Sequence, residues 1–478
     1  MKSLNAFNPE KTGFFRHRQV AGGYLITNDP GNFAFLSEDD FHGFLAGRLK
    51  AGTPLHSRLS AGGFLGGEPP LAALSAKWRQ KNSFLFGSPG LHIVVLTKRC
   101  NHSCLYCQSG SLGGHGKKAD MTKAVARRVL DTIFSSPAQS LTVEFQGGEP
   151  LLNWPVLSFM VAAIGERSKK SGKQVTMNLV TNLSAMTAAR LAFLLKHRVR
   201  LCTSLDGPQK LHNLNRPFPG GNSQAGAVKW LKAIKKKSAP GAGVGDALLT
   251  VTKAALPQWK AIVDEYVRLG MAGIFIRFLN PFGAAKRVWG TVGYSAGEYV
   301  EFYKKALDYV VELNLSGKSR IVEHSTRILL VKILGDADPN YLDLRSPCGA
   351  GIGQIAYDYD GRVFTCDEGR MLAAMGDDAF CMGSAGGGKY NSLVSSPVVR
   401  CMATASVTDI QVTCSSCVYK PYCGVCPVYN YSEHGDLFMH QPSYRCEIYT
   451  GMFDHVFRRL KNKKVRGLFE AWAKSKPA

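Results

Sequence analysis

The chain has 478 residues, 45% of them hydrophobic, which is enough for a sizeable core and a length of about two to four domains. Lys and Arg number 59 against 35 Asp and Glu, a net charge of +24 that favours acidic partners through long-range steering. No apolar run reaches the roughly 18 residues a membrane-spanning helix needs, and "MKSLNAFNPEKTGFF" lacks the basic-then-apolar pattern of a secretory or transit peptide, so the expected compartment is the cytoplasm. There the 13 cysteines are expected to serve metal or redox chemistry rather than disulfides.

Residues 1–90 mix two strand-like pieces, "GGYLITND" and "NFAFL", with a following helix, and read as a small N-terminal α+β domain. It closes in a Gly- and Pro-containing linker, "SAGGFLGGEPPLAAL" (60–74). Over 91–290 apolar runs alternate with helical patterns: "LHIVVLT", "LTVEFQ", "VTMNLVT", "VRLCTSL", "ALLTVT" and "GIFIRFL" are separated by amphipathic segments. This α/β alternation predicts parallel βα units, with the ligand face at the carboxyl ends of the strands. A helical bridge is expected over 291–340 and a glycine- and cysteine-rich segment over 341–450, in which "GSAGGGKYNS" (383–392) reads as a loop. A basic helix closes the chain at 451–478. The basic runs at 229–238 and 457–466 read as solvated helix faces, with an acidic peptide or RNA as the alternative.

The stretch "TKRCNHSCLYC" places Cys100, Cys104 and Cys107 just after the first of these strands. A structural zinc wants four ligands, and His102 is poorly spaced to be the fourth. Three thiolates hold three irons of a four-iron four-sulfur cluster and leave the last iron open. In "EFQGGEP", Gly147 and Gly148 allow a ligand close to the backbone, Glu149 offers an acceptor for an ammonium group, and Pro150 closes the motif. Asn182, Ser204 and Asp206 put small polar groups at the next two strand ends, where turn formation is the competing reading. Arg216 and Arg277 suit a carboxylate or phosphate. Cys202, within a strand, reads as a small buried hydrophobe.

The CxxxCxxC, with Tyr106 before its last cysteine and a strand ahead of it, resembles the radical S-adenosylmethionine (SAM) superfamily. The resemblance implies a partial (β/α)6 TIM-like barrel. It also implies a 4Fe-4S cluster whose open iron chelates SAM, and cleavage of SAM by one electron to a 5′-deoxyadenosyl radical. An electron donor such as flavodoxin or ferredoxin is then expected. "GGEP" is similar to the family's amino-group motif for SAM, and the resemblance assigns the strand-end positions of Asn182, Ser204 and Asp206 to its ribose and carboxylate.

The tail, with Cys348, Cys366, Cys414, Cys417, Cys423, Cys426 and Cys446, resembles the SPASM extension of peptide and protein maturases. That resemblance implies two auxiliary iron–sulfur clusters, the outer on Cys414, Cys417, Cys423 and Cys446, the inner on Cys348, Cys366 and Cys426. The chain departs from the usual pattern in the short CxxC that ends at Cys426. Three thiols also leave the inner cluster one ligand short; Cys381 or Cys401 would complete it, or the iron stays open to substrate. Asp367 follows Cys366 as an acid does in the sulfatase-maturing members, where it is a candidate base; a turn aspartate is the alternative.

"LHIVVLTKRCNHSCLYCQ", "VEFQGGEPLLN", "TSLDGPQKLHNLNRP", "GAGIGQIAYDYDGRVFTCDEGRMLAAMGD" and "YKPYCGVCPVYNY" resemble the radical SAM maturases of the His-Xaa-Ser peptide system. That likeness implies a ribosomally made precursor peptide as substrate and an oxidative modification such as a crosslink. The N-terminal domain is expected either to pair a leader peptide, possibly an acidic one, onto a sheet edge, or to cap the barrel. The competing functions are formylglycine formation by a sulfatase maturase, an RNA-interacting iron–sulfur protein, and a non-catalytic electron carrier. No basic stripe interleaved with aromatics supports the RNA reading.

Overall fold

A computed structural model describes residues 7–66, 71–111, 117–237, 246–335, 337–439 and 443–475; part of the expected linker, at 67–70, lies outside them. Strands β1 (Arg16–Val20), β2 (Gly23–Thr27) and β3 (Phe33–Leu36) form an antiparallel sheet in that order. The second and third are the two expected strands. The first was not legible, because "RHRQV" has one apolar residue and is ordered by its ladder to β2, with three side chains left exposed. Helices Glu38–Leu45 and Pro54–Ala61 start at Ser37 and Thr53, whose side chains accept from backbone N–H groups of the first turn. They pack Phe41, Phe44 and Leu59 against Ile26 and Leu36 of the sheet.

The contacts of this domain run to the cysteine-rich tail and to the C-terminal helix. Arg16 Nε donates to the Ser415 carbonyl at 2.5 Å, Thr27 Oγ1 to the Val418 carbonyl at 2.7 Å, and Tyr422 Oη to the Gly31 carbonyl at 3.0 Å. Arg16 and Lys420 both pair with Asp29. Phe33 and Phe35 meet Phe457 edge to face.

The six strands expected from 91 onward form as β4 (Leu91–Val95), β5 (Ser140–Gln146), β6 (Gln174–Thr181), β7 (Arg200–Ser204), β8 (Asp246–Thr250) and β9 (Gly273–Arg277), each parallel to the next. Helices Lys123–Phe134, Trp154–Ser171, Ala188–Lys196, Ser223–Lys237 and Trp259–Arg268 return the chain between them. The sheet is longer than the expected six. β10 (Val322–Glu323) adds parallel to β9, β11 (Gln354–Tyr357) adds parallel to β4, and β12 (Arg362–Phe364) and β13 (Cys381–Ser384) continue antiparallel. The order is β10-β9-β8-β7-β6-β5-β4-β11-β12-β13. The tail is thus welded to the barrel edge by main-chain hydrogen bonds rather than by a linker.

Alternation along the strands separates two faces. Val94, Phe145, Leu179 and Leu201 pack on Val129, Leu157 and Leu191 of the helices. The other face carries Glu144, Asn178, Cys202, Ser204 and Arg277 in register, all half-buried. Cys202 therefore shares the polar inner face and is not the buried hydrophobe expected.

The bridge is the helix Ala296–Leu315, opened by a capping box of Ser295 and Glu298. It shares one core with Tyr444–Leu460 and Lys463–Lys474, so the expected C-terminal basic helix is two helices, the second capped by Asn462. The tail holds more helix than expected, including Asp367–Ala373, Pro397–Ala405 and Pro427–His434. The 383–392 loop begins in β13 and ends in the helix Tyr390–Val394.

Candidate functional site

The loop after β4 is clamped from behind before it presents its cysteines. Arg99 Nε and Nη2 donate to the two Asp120 oxygens at 2.7 and 2.6 Å, and Thr97 Oγ1 donates to Asp120 at 2.6 Å. Lys98 pairs with the buried Asp358 of the β11–β12 turn at 3.1 Å. The loop after β5 then seats on this one: Gly148 N–H donates to the Thr97 carbonyl at 2.9 Å and Glu149 N–H to the Arg99 carbonyl at 2.8 Å.

That contact explains the glycine pair. A Cβ on Gly147, whose φ is +142°, would lie 2.3 Å from the Thr97 oxygen, and one on Gly148 would lie 2.2 Å from the Arg99 oxygen. The glycines admit the cysteine loop's own backbone, where the sequence suggested a ligand. Pro150 and Glu149 are fully buried in the turn. The Glu149 carboxylate accepts from Leu151 N at 2.9 Å, Thr181 Oγ1 at 2.7 Å and Asn182 N at 2.8 Å, tying the ends of β5 and β6 together.

Asn182 stands over the cysteine loop, its amide within 3.1 Å of Asn101 Oδ1, 2.6 Å of His102 Nδ1 and 3.9 Å of Cys100 Sγ. His102 and His212 share Ser223 Oγ at 2.9 and 3.0 Å, and burial pushes both imidazoles down to a pKa of about 4. Neither sequence position signalled this role; both ring nitrogens of His102 are hydrogen-bonded, to Asn182 and Ser223.

Tyr106, Asp206 and Arg216, separate candidates in the sequence, form one buried network. Tyr106 Oη donates to both Asp206 oxygens, Asn215 Nδ2 and Arg216 Nε donate to Oδ2 at 3.3 and 3.1 Å, and the guanidinium lies 5.1 Å from the Tyr106 ring centroid. Arg216 Nη1 reaches Cys104 Sγ at 3.7 Å. Ser204 ends β7 beside this network, on the inner face.

Burial raises the thiol pKa of Cys100 to about 12 and of Cys104 to about 11, each also feeling the other cysteines of the loop. The three thiols lie close enough to feel one another, with Arg216 as the cation beside Cys104, a setting that fits a cluster whose binding replaces the thiol protons. Among the described residues no three His, Cys, Asp or Glu side chains are placed to hold a single metal ion; cluster ligands stand farther apart, each on its own iron.

Cys348, Cys366 and Cys426 pack in a second group with Phe282, Phe380 and Tyr429. Cys366 caps the helix Asp367–Ala373 through Gly369 N–H at 3.4 Å, and Cys426 precedes the helix Pro427–His434. Neither Cys381 nor Cys401 joins them. Cys401 is exposed on its helix, and Cys381 packs with Ile93, Ala356 and Phe364. Cys414, Cys417, Cys423 and Cys446 line a cavity of about 70 Å³ with Cys426 on its wall. A cavity walled by thiols fits a cluster. A larger groove, about 650 Å³, opens between the helix Leu71–Lys81 and the tail and reaches Cys423.

Asp367 is largely buried, its Oδ1 accepting from Arg370 Nε at 2.7 Å while Arg370 Nη1 donates to the Ser109 carbonyl at 3.1 Å. Its charge and that of Arg277 both reach Glu144 on the inner face, whose carboxyl burial holds above the usual range. Arg277 also feels Glu368 and Asp343. Glu144, Asn178, Asp343 and Glu368 were not singled out in the sequence; strand alternation would have placed the first two on one face.

Residues 94–256 match the model of the Radical SAM superfamily. A radical SAM cyclopropyl synthase of Paramaledivibacter caminithermalis is 25% identical over 158 residues, 30% of this chain and about a third (32%) of that protein. A cysteine-type anaerobic sulfatase-maturating enzyme of Clostridium perfringens is 22% identical over 383 residues, 78% of this chain and 98% of that protein. Among solved structures, native anSMEcpe with bound AdoMet aligns with a TM-score of 0.66 at 20% identity, over 79% of this chain and 99% of that one. Streptococcus suis SuiB bound to its precursor peptide SuiA aligns with a TM-score of 0.54 at 12% identity, over 92% of this chain and 99% of that one. No helix among the described residues is long and apolar enough to cross a membrane. The stretch that matches the Radical SAM superfamily, residues 94–256, holds the strands and loops that carry Cys100, Cys104 and Cys107, so this part of the chain is a radical SAM domain, of an enzyme superfamily that works with S-adenosylmethionine and a 4Fe-4S cluster.

Proposed function

We propose that the chain is a SPASM-type maturase of the His-Xaa-Ser kind that installs an oxidative modification, a crosslink, on a ribosomally made precursor peptide. The observation that carries this reading is the reach of the SuiB alignment, which covers 92% of the chain where the sulfatase-maturase structure covers 79%. SuiB is bound to a precursor peptide, and the added coverage is in keeping with a domain outside the barrel and tail. Here that domain would be residues 7–66, whose β1 pairs only with β2 among the described residues and has His17, Arg18 and Gln19 exposed. An extended leader adding to that strand, steered by the basic surface, fits it.

Cys100, Cys104 and Cys107 would hold the SAM cluster, Cys414, Cys417, Cys423 and Cys446 the outer auxiliary cluster, and Cys348, Cys366 and Cys426 the inner one. Held there, the first cluster would supply the one-electron chemistry for cleaving SAM, and the auxiliary clusters would offer a place for the electron an oxidised substrate gives up. The chain's own residues do the rest. Glu149 and the glycine pair fix the β5 loop on the cysteine loop; Tyr106, Asp206 and Arg216 lock the β7 end beside Cys104. Asn182 and Ser204 line the SAM-facing strand ends, and Arg277 faces the inner surface across from Glu144. Asp367, whose Oδ1 accepts from Arg370 Nε, would take the proton that an oxidised substrate must release. A flavodoxin or ferredoxin would supply the electron for SAM cleavage.

The test is coexpression with each short open reading frame found beside this gene, followed by mass spectrometry. The reading expects a peptide lighter by one pair of hydrogen atoms, and 5′-deoxyadenosine from the reduced protein. A second reading, formylglycine formation, is favoured by the near-complete coverage of the Clostridium perfringens sulfatase maturase. A sulfatase-derived Cys or Ser peptide converted to the aldehyde, with the neighbouring peptide unchanged, would replace the first reading with the second.

A further inference from the structure

Arg445 is 5% exposed, and neither Nη1 nor Nη2 has a hydrogen-bond acceptor among the described residues. It forms an ion pair with Asp343, whose Oδ2 also accepts from Tyr449 Oη at 3.0 Å, and that contact leaves both terminal nitrogens without a well-directed hydrogen bond. Its guanidinium lies 5.3 Å from the Tyr429 ring centroid and 5.8 Å from that of Phe278, so its flat faces are taken by aromatic rings. A buried guanidinium with unmet donors carries a penalty of several kcal/mol on general grounds, about the cost of desolvating an unpaired polar group or more.

Cysteines stand near it, and Cys426 feels its charge. Arg445 lines the cavity walled by Cys414, Cys417, Cys423 and Cys446, it adjoins Cys446 in the chain, and Cys426 of the inner group lies on the same wall. The other cation on this wall, Lys420, is already paired with Asp29 and Asp409. Arg445 turns Nη2 to Asp343, and its Nη1 has no partner among the described residues.

We infer that Arg445 is the charge-compensating donor of the auxiliary sites: its unmet N–H groups serve the sulfur of a cluster held by these cysteines and raise that cluster's reduction potential. Hydrogen bonds to sulfur and local positive charge both stabilise the reduced, more negative cluster, which is the direction of the effect. An Arg at this position offers a rigid planar fork of donors that a Lys cannot reproduce.

This inference rests on the proposal that the tail binds clusters, and the experiment separates the two. Arg445→Met and Arg445→Lys are made in full-length protein carrying Cys100→Ala, Cys104→Ala and Cys107→Ala, so that the tail alone holds iron. Iron and acid-labile sulfide are counted, and the midpoint is followed by electron paramagnetic resonance during redox titration. A parent protein without iron removes the cluster reading itself. With iron present, the expected result is a midpoint lowered in Arg445→Met and lowered less in Arg445→Lys. Equal midpoints in the parent and Arg445→Met overturn the inference. If Arg445→Met loses iron, Arg445→Lys decides: iron retained supports a required charge, and iron lost there too marks a packing residue and overturns it.

Discussion

Tyr106 Oη donates to both oxygens of the fully buried Asp206, at 2.9 and 2.7 Å, so the aromatic side chain one residue before Cys107 is anchored to the end of β7. Asp206 also neutralises Arg216, which lies against Cys104. Asp206→Asn removes the partner of a buried guanidinium, and breaking one side of such a pair costs about 3–5 kcal/mol. Tyr106→Phe loses one hydrogen bond to a charged acceptor, about 1.5–3 kcal/mol. Urea denaturation of the iron-free protein is expected to rank Asp206→Asn below Tyr106→Phe and both below the parent. Equal midpoints for all three would show that the network carries no stability.

The close seating of the β5 loop on the cysteine loop predicts opposite outcomes for two glycines. Gly148→Ala sets a methyl 2.2 Å from the Arg99 oxygen and 2.6 Å from its carbon, backbone atoms that cannot swing aside. The loops must part, and loss of SAM cleavage with a lower Tm is expected. Gly165→Ala, on the helix Trp154–Ser171 with nothing within 4 Å of the added methyl, is expected to leave cleavage intact and to gain about 0.5–1 kcal/mol from helix propensity. Measured 5′-deoxyadenosine yield and thermal melts of the two variants check the pair.

These cases show where sequence reasoning reached and where it stopped. The six parallel strands were legible because each is an apolar run followed by a helical pattern, a local signal. β1 was not, since its order comes from pairing with β2. Asp206 and Arg216 were noticed as separate ligands, because linear spacing does not reveal which buried charges neutralise one another. The glycines of "GGEP" read as a place of close approach, and the backbone of Thr97 and Arg99 comes close there, a contact between two loops that linear spacing does not reveal. Arg445 left no signal at all: one Arg among many becomes unusual only when burial strips its partners.

His324 predicts a pH response away from the iron chemistry. It opens the helix His324–Leu334, its ring packs on Gly273 and edge to face with Phe275, and burial lowers its pKa to about 4. The unfolded imidazole titrates near 6.5, so between these values the unfolded chain binds more protons. The associated stability is therefore present above pH 6.5 and lost as pH falls toward 4, about 1 kcal/mol of it by pH 5.5. His92, also pushed down to about 4 by burial, adds a similar loss. The decline in Tm from pH 7 to 5.5 is expected to be shallower in His324→Gln than in the parent; parallel declines would remove His324 as the cause.

The placement of the tail cysteines predicts which of them iron requires. Cys348, Cys366 and Cys426 share one packed group, whereas Cys401 is exposed and Cys381 Sγ points to the Gly383 carbonyl at 3.5 Å. Thiolate ligands are not replaceable by hydroxyls on an iron–sulfur cluster without loss of affinity. Cys401→Ser and Cys381→Ser are therefore expected to keep the parent's iron and sulfide content after anaerobic reconstitution. Cys426→Ser is expected to lose the inner cluster's share while retaining the outer one, because it packs with Cys348 and Cys366. Iron loss in Cys381→Ser matching that of Cys426→Ser would make Cys381 a ligand after all, and would require β13 to shift toward the inner group when the cluster binds.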